Sequence, residues 1–177
     1  MNPERDVDAM YDSPGLESHP ALTDPQTGLP NRLHFRTVFE VMFAAGSRGI
    51  PISLLLLEIE GFHTWAAGAD PGEIDRVLRG IGDTLGPVVR ATDLVVRLDE
   101  NRLVVCLVDC NMAGAVLVAD RIDGLLDPLR QRTGLGFSLG GASMDVDMKL
   151  PADLLAGAEA ALTAAQAKGP NHMEFHR

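Results

Sequence analysis

The stretch VVRLDENRLVVCL spans Val95–Leu107. Two apolar, β-branched runs flank a short polar centre, which predicts a β-hairpin with strands over roughly 94–98 and 103–109. The turn consists of Asp99, Glu100, Asn101 and Arg102 and contains no glycine. Asp99 and Asn101 are competent turn residues in their own right. What such a turn holds, or fails to hold, is the question the rest of the sequence has to answer.

Upstream of the hairpin, EIDRVLRGIGDTLGPVVR places Ile74, Val77, Leu78, Ile81 and Leu85 on one helical face. Before it, HTWAAGADPGE (63–73) reads as loop or broken helix. IPISLLLLEIEGF is a continuous apolar run ending in Glu58 and Glu60, as expected of a central strand covered on both faces. RLHFRTVFEVMFAA has helical spacing, with Asn31 as a candidate cap and Gly46 and Gly49 ending it. LTDPQTGLPNR is turn-rich. Residues 1–21 are polar, carry Pro3, Pro14 and Pro20 and show no period, so they are expected to form a flexible tail.

Downstream, MAGAVLVADRIDGLLDPL is a helix with Ala115, Val118, Ala119, Ile122 and Leu126 on its core stripe. GLGFSLGGASM is a glycine-rich strand. Its glycines suggest close backbone packing within a sheet, because it does not lead from strand into helix as a phosphate loop would. Pro151 opens a last helix closed by Gly169, and NHMEFHR is a short final strand. The predicted order is helix, strand, helix, strand, strand, helix, strand, helix, strand.

The chain has 177 residues, enough for one domain with a sizeable core. Hydrophobic residues make up 46% and aromatic residues only 5%, so the core must be mostly aliphatic. The formal net charge of −10 argues against general nucleic-acid or anionic-membrane binding, which rewards basic patches. No apolar run is long enough to span a membrane, and the acidic N-terminus is unlike a secretory signal, so a cytoplasmic location is expected. Cys106 and Cys110 match no common zinc or redox spacing and are expected to be buried free thiols in a reducing compartment. His172 and His176 share a strand face by spacing, but a chain end is a poor metal site. No metal is expected.

DPQTGLPNR, LLLLEIEGF and RLDENRL, in this order, resemble the GGDEF domain of diguanylate cyclases. That family opens with D-x-L-T-G-L-P-N-R, continues with a strand ending D-I-D-x-F and a helix, and carries R-L-G-G-D-E-F in a hairpin. It closes with a helix and K-x-x-G-R-N. Thr27, Gly28, Leu29, Pro30, Asn31 and Arg32 all match, and the resemblance covers residues 22–177. It implies an α/β nucleotidyl-cyclase-like sandwich, related to ferredoxin folds, with about five mainly antiparallel strands in a central sheet flanked by helices. Active members join two GTP molecules into cyclic di-GMP, a bacterial second messenger. Two divalent metals held by carboxylates carry the triphosphate, as phosphoryl chemistry requires.

Carried over position by position, this chain looks degenerate. The metal-binding Asp ending the first strand corresponds to Glu58, which could still ligate. The second metal carboxylate becomes Asn101, a poor ligand for a hard cation, and the next acid becomes Arg102, a cation where a metal is expected. The two glycines become Asp99 and Glu100, facing the place of the triphosphate, and the closing Phe becomes Leu103. The guanine-reading Asn falls on Ala66, the phosphate-binding Lys on His63, and the C-terminal Lys and Arg on Gln166 and Pro170. Asp75, matching a second guanine-reading acid, survives. Glu58, Glu60 and Asp75 are expected as solvated surface at a vacant cleft, and Trp65 as a plug of that cleft or a protein contact.

A second site of the family, where product binds, has the signature R-x-x-D just before the hairpin. Arg90 and Asp93 match it, and Arg121 matches a further arginine on the next helix. A guanidinium can fork onto guanine O6 and N7, and a carboxylate can accept from the N1–H and N2–H₂ edge. The resemblance therefore implies an inactive cyclase homologue with no cofactor of its own, a cyclic di-GMP effector signalling through an unidentified protein partner. A ligand-linked homodimer is plausible. The alternative is a ligand-independent scaffold that partners an active cyclase or a localisation complex. As bland surface residues, Arg90 suits a helix end, Asp93 a turn, and Arg121 solvent.

Overall fold

The computed structural model describes residues 20–176. The expected tail over 1–21 lies outside them except for Pro20 and Ala21, which form a 3-10 turn with Leu22. The α-helices are α1 (Arg32–Gly46), α2 (Phe62–Gly68), α3 (Pro71–Leu85), α4 (Met112–Thr133) and α5 (Pro151–Gln166). The strands are β1 (Ile52–Glu60), β2 (Leu94–Arg97), β3 (Arg102–Val108), β4 (Gly136–Ser143) and β5 (Met173–Phe175). They form one sheet in the order β2-β3-β1-β4-β5. All pairings are antiparallel except β4 with β5, so the sheet is mainly antiparallel.

β1 is the central strand, and its composition follows from that place. Leu55, Leu57 and Ile59 face one apolar layer, built with α3 and α4. Ile52, Leu54 and Leu56 face the other, built with α1 and α5. Alternate side chains point to opposite faces, so a strand covered on both sides reads as an unbroken apolar run. Asn31 caps α1, its Oδ1 accepting from the N–H groups of Leu33 and His34 at 3.0 and 3.1 Å.

The glycine-rich strand is explained by packing. A Cβ on Gly140 would lie 2.1 Å from the Leu162 nitrogen and 2.3 Å from the Ala158 oxygen, so β4 runs directly against the α5 backbone. A Cβ on Gly82 would meet the Thr27 carbonyl oxygen at 2.0 Å, which fixes the 23–31 loop on α3.

Over 63–73 the broken-helix alternative holds, since α2 ends at Gly68 and α3 begins at Pro71. Residues 62–68, within the stretch read as loop or broken helix, form α2. The helix has only seven residues, too few to show a clear helical period. The helix is held by burial of Phe62 and by Trp65 packed on the same core, with ring centroids 6.0 Å apart. Trp65 is thus a half-buried helix residue packed against the core rather than part of an open loop.

Candidate functional site

The hairpin turn is organised from within. Arg97, at the end of β2, is buried with its side chain 8% exposed. Its Nε donates to the Asp99 carbonyl at 3.0 Å and its Nη2 to the Glu100 carbonyl at 2.9 Å. The guanidinium gathers the turn carbonyls, and none of Asp99, Glu100 or Asn101 adopts a left-handed backbone. Glycine is therefore not needed to close this turn. Arg97 Nη1 also donates to both Asp24 carboxylate oxygens at 3.2 and 3.1 Å and to Gln26 Oε1 at 2.7 Å.

Asp24 in turn accepts from the Thr27 N–H at 2.7 Å and hydroxyl at 2.6 Å. Burial alone would raise its carboxyl. The Thr27 donors and the Arg97 charge outweigh that and hold it below its ordinary value of 3.8. These contacts tie the TGLPNR loop to the hairpin. The motif's position was legible in the sequence, but the structural roles of Asp24, Gln26 and Arg97 were not.

At the cleft, β1 and β3 are in register so that Glu58 opposes Arg102. Arg102 Nε donates to Glu58 Oε2 at 2.7 Å, with side chains 40% and 15% exposed. This hydrogen bond is the chief reason that the Arg102 pKa lies above its ordinary value. Glu60 Oε1 accepts from Gln166 Nε2 at 3.0 Å, and Asp75 Oδ1 accepts from Gln26 Nε2 at 3.0 Å.

The expectation of solvated remnant acids holds for the exposed Asp75 and is corrected for Glu58 and Glu60. Glu58 and Glu60 are half-buried, and all three acids have partners. Asp99 and Glu100 are likewise engaged. Arg32 pairs with Asp99 at 3.2 Å, and His63 Nδ1 lies 3.4 Å from Glu100 Oε2, an ion pair whenever the ring is protonated. Ala66 packs against the core and Leu103 is buried in it. The Asn101 carbonyl accepts from the Ile59 N–H at 2.8 Å.

The donor set does not fit a divalent cation. Glu58, the carboxylate a metal would use, already holds a guanidinium, and Asn101 supplies no charge. Among the described residues, no three His, Cys, Asp or Glu side chains gather as a metal would need.

Arg90 and Asp93 come together, as their spacing predicts. They line a cavity of about 300 Å³ with Gly28, Leu29 and Pro30 of the TGLPNR loop. Asp93 Oδ2 accepts from the Arg90 N–H and its Oδ1 from the Val108 N–H, both at 3.0 Å. A carboxylate has about four lone-pair sites, so about two remain open. The Arg90 guanidinium is exposed and, among the described residues, makes no hydrogen bond or ion pair. Cys110 lies beside this pair. Burial raises its thiol, Asp93 raises it further, and Arg90 opposes them. Arg121 is exposed in the middle of α4 and is not among the residues lining the cavity.

Asn171 escaped sequence reading as well. It stands at the last position of the C-terminal pattern and has φ 63°. Its Oδ1 accepts from the Phe137 N–H at 2.9 Å and from Arg130 Nε at 3.0 Å, linking β4 to α4. The asparagine surviving beside Gly169 was the available signal. Nearby, His172 Nδ1 lies 3.1 and 3.0 Å from the Gly169 and Pro170 carbonyls, so that ring nitrogen serves as a donor to the backbone.

Comparison with known proteins agrees with this architecture. Residues 21–172 match the family described as diguanylate cyclase, GGDEF domain. The response regulator PleD of Caulobacter vibrioides is 35% identical over 105 residues, which are 58% of this chain and 23% of PleD. Diguanylate cyclase DosC of Escherichia coli is 26% identical over 170 residues, 90% of this chain and 36% of DosC. The chain therefore spans about a quarter to a third of these relatives' lengths. The GGDEF domain of DgcB from Caulobacter crescentus, solved in complex with c-di-GMP, superposes with a TM-score of 0.80 at 20% identity. That match covers 89% of this chain and 97% of the DgcB domain. At that identity the likeness concerns the fold.

Proposed function

From the premise that this chain belongs to the GGDEF domain family of diguanylate cyclases, we propose that it makes no cyclic di-GMP and instead binds it as an effector. The observation that carries this reading is a contrast between two sites. At the cleft, Glu58, Glu60, Asp75, Asp99 and Glu100 are all engaged by the chain's own side chains. At the other site, Arg90 stands unpaired over a cavity whose carboxylate, Asp93, retains accepting capacity. At the second site a dianionic ligand meets an unpaired cation beside a carboxylate that can still accept.

Guanine suits that second site chemically. The Arg90 fork can donate to O6 and N7, and Asp93 can accept from the N1–H and N2–H₂ edge. Asp93 is held in place by two backbone donors, so little ordering is required of it on binding. Arg121 is assigned to the ligand by family correspondence alone. It would serve a part of the ligand lying outside the cavity, or a ligand shared between two copies. Signalling to a partner protein then requires that bound and free forms differ in affinity for that partner. Among the described residues no helix is long and apolar enough to cross a membrane.

Calorimetry with cyclic di-GMP tests the reading. The wild-type chain is expected to bind, and Arg90→Ala to lose about tenfold or more in affinity, as for a charged hydrogen-bonding partner worth about 1.5–3 kcal/mol. No heat with the wild type would leave the ligand-independent scaffold as the working description. Unchanged affinity in Arg90→Ala would displace the site.

A further inference from the structure

Resting on the reading of this cleft as the remnant of a nucleotide site, we propose that Arg102 is a built-in counter-cation that stands where a metal ion would stand and keeps Glu58 from binding one. A half-buried carboxylate needs an opposite charge close by, and in a metal-dependent site the ion supplies it. Here the guanidinium is delivered by strand register, since Glu58 and Arg102 are cross-strand partners in β1 and β3. The contact is a 2.7 Å charge-assisted hydrogen bond from Nε to Oε2. Being part of the chain, this cation cannot dissociate or be chelated.

The neighbouring contacts act in the same sense. The surviving acid Asp75 accepts from the Gln26 amide, a neutral N–H donor of the kind a guanine edge presents. Gln26 stands where the family pattern has leucine, and its carbonyl oxygen accepts from Arg97. Glu100 reaches His63 on α2, and Asp99 reaches Arg32 on α1. The hairpin tip is thereby tied to β1, α1 and α2 without any ligand. The cleft has lost its ligands, and it has also been closed by internal substitutes for them.

This closure makes a prediction that a simple lack of ligands does not. If the defect were only the amide at Asn101, then Asn101→Asp would restore a carboxylate pair with Glu58 and bind metal. With Arg102 as the resident cation, restoring the acid is insufficient until the cation is removed. The experiment is titration of free Mn²⁺ by electron paramagnetic resonance on the wild-type chain, Asn101→Asp, Arg102→Gln and the double variant Asn101→Asp/Arg102→Gln. Asn101→Asp/Arg48→Gln controls for loss of a positive charge on an exposed turn, and amide NMR spectra confirm that each variant is folded.

Asn101→Asp and its Arg48→Gln control are expected to bind Mn²⁺ no better than the wild type. The Asn101→Asp/Arg102→Gln variant is expected to bind at least about tenfold tighter than Asn101→Asp, as when a hard cation regains two carboxylates free of a competing charge. Equal binding by Asn101→Asp and the double variant overturns the proposal, as does failure of the double variant to gain affinity. Neither outcome touches the effector reading, which only cyclic di-GMP binding addresses.

Discussion

Replacing Arg97 by methionine is the most informative test of how the hairpin is held. The guanidinium is 8% exposed and Asp24 is 17% exposed, so the variant leaves a largely buried carboxylate without its counter-charge. Removing one partner of a buried pair costs about 3–5 kcal/mol. The carbonyls of Asp99 and Glu100 also lose their donors, but both residues are exposed and water can replace the guanidinium there. The lower end, about 3 kcal/mol, is therefore expected. At about 2–4 °C per kcal/mol for a chain of this size, the midpoint of thermal unfolding should fall by about 6–12 °C. Urea unfolding followed by circular dichroism gives the free energy directly. The double variant Asp24→Asn/Arg97→Met should be less destabilised than the sum of the single variants, because the second change removes the orphaned charge. A loss below about 1 kcal/mol in Arg97→Met, or strict additivity in the double variant, would refute the assignment of Arg97 as the organiser of the turn.

Other outcomes follow from the same structure. Gly140→Ala should cost at least about 3 kcal/mol by urea unfolding, because the new Cβ meets the α5 backbone rather than a side chain able to move. Thiol titration of the native chain should detect Cys110 and not Cys106, which is fully buried with its thiol pKa pushed far up by that burial, and both should react after unfolding. Asp24 is held below 3.8 in the folded chain, so its contribution to stability is complete above that value and is lost as pH falls through the lower native value. Urea unfolding of the wild type and Asp24→Asn should accordingly differ most near neutrality and converge below about pH 4. A gap that persists unchanged at lower pH would mean that Asp24 does not act through its charge.

The fold was legible where local pattern and burial agree. The apolar run over 52–57, broken only by Ser53, suggested a strand covered on both faces, and the glycines of GLGFSLGG suggested the close backbone packing seen at Gly140. α2 was less legible because its boundary glycines mask two turns of helix anchored by Phe62 and Trp65. At the candidate site, sequence correspondence located Glu58, Asp75, Arg102, Arg90 and Asp93, yet it could not show how they pair. Arg102 in isolation suggested repulsion of a metal, whereas strand register makes it the partner of Glu58 from 44 positions away. Gln26 gave no signal beyond its departure from leucine, and its contact with Asp75 spans 49 positions. Such pairings arise from tertiary placement, to which short-range spacing is blind. Arg121, off the core stripe by its helical phase, is exposed, and only the family pattern joins it to Arg90, since it does not line the same cavity.

The proposed function makes Arg90 and Asp93 a ligand site and leaves the acids of the former nucleotide cleft held by the chain's own side chains. Paired calorimetric titrations of one wild-type preparation, first with GTP and Mg²⁺ and then with cyclic di-GMP, test it most directly. No binding heat is expected from the first titration and saturable heat from the second. Saturable heat from GTP and Mg²⁺, or none from cyclic di-GMP, would overturn it.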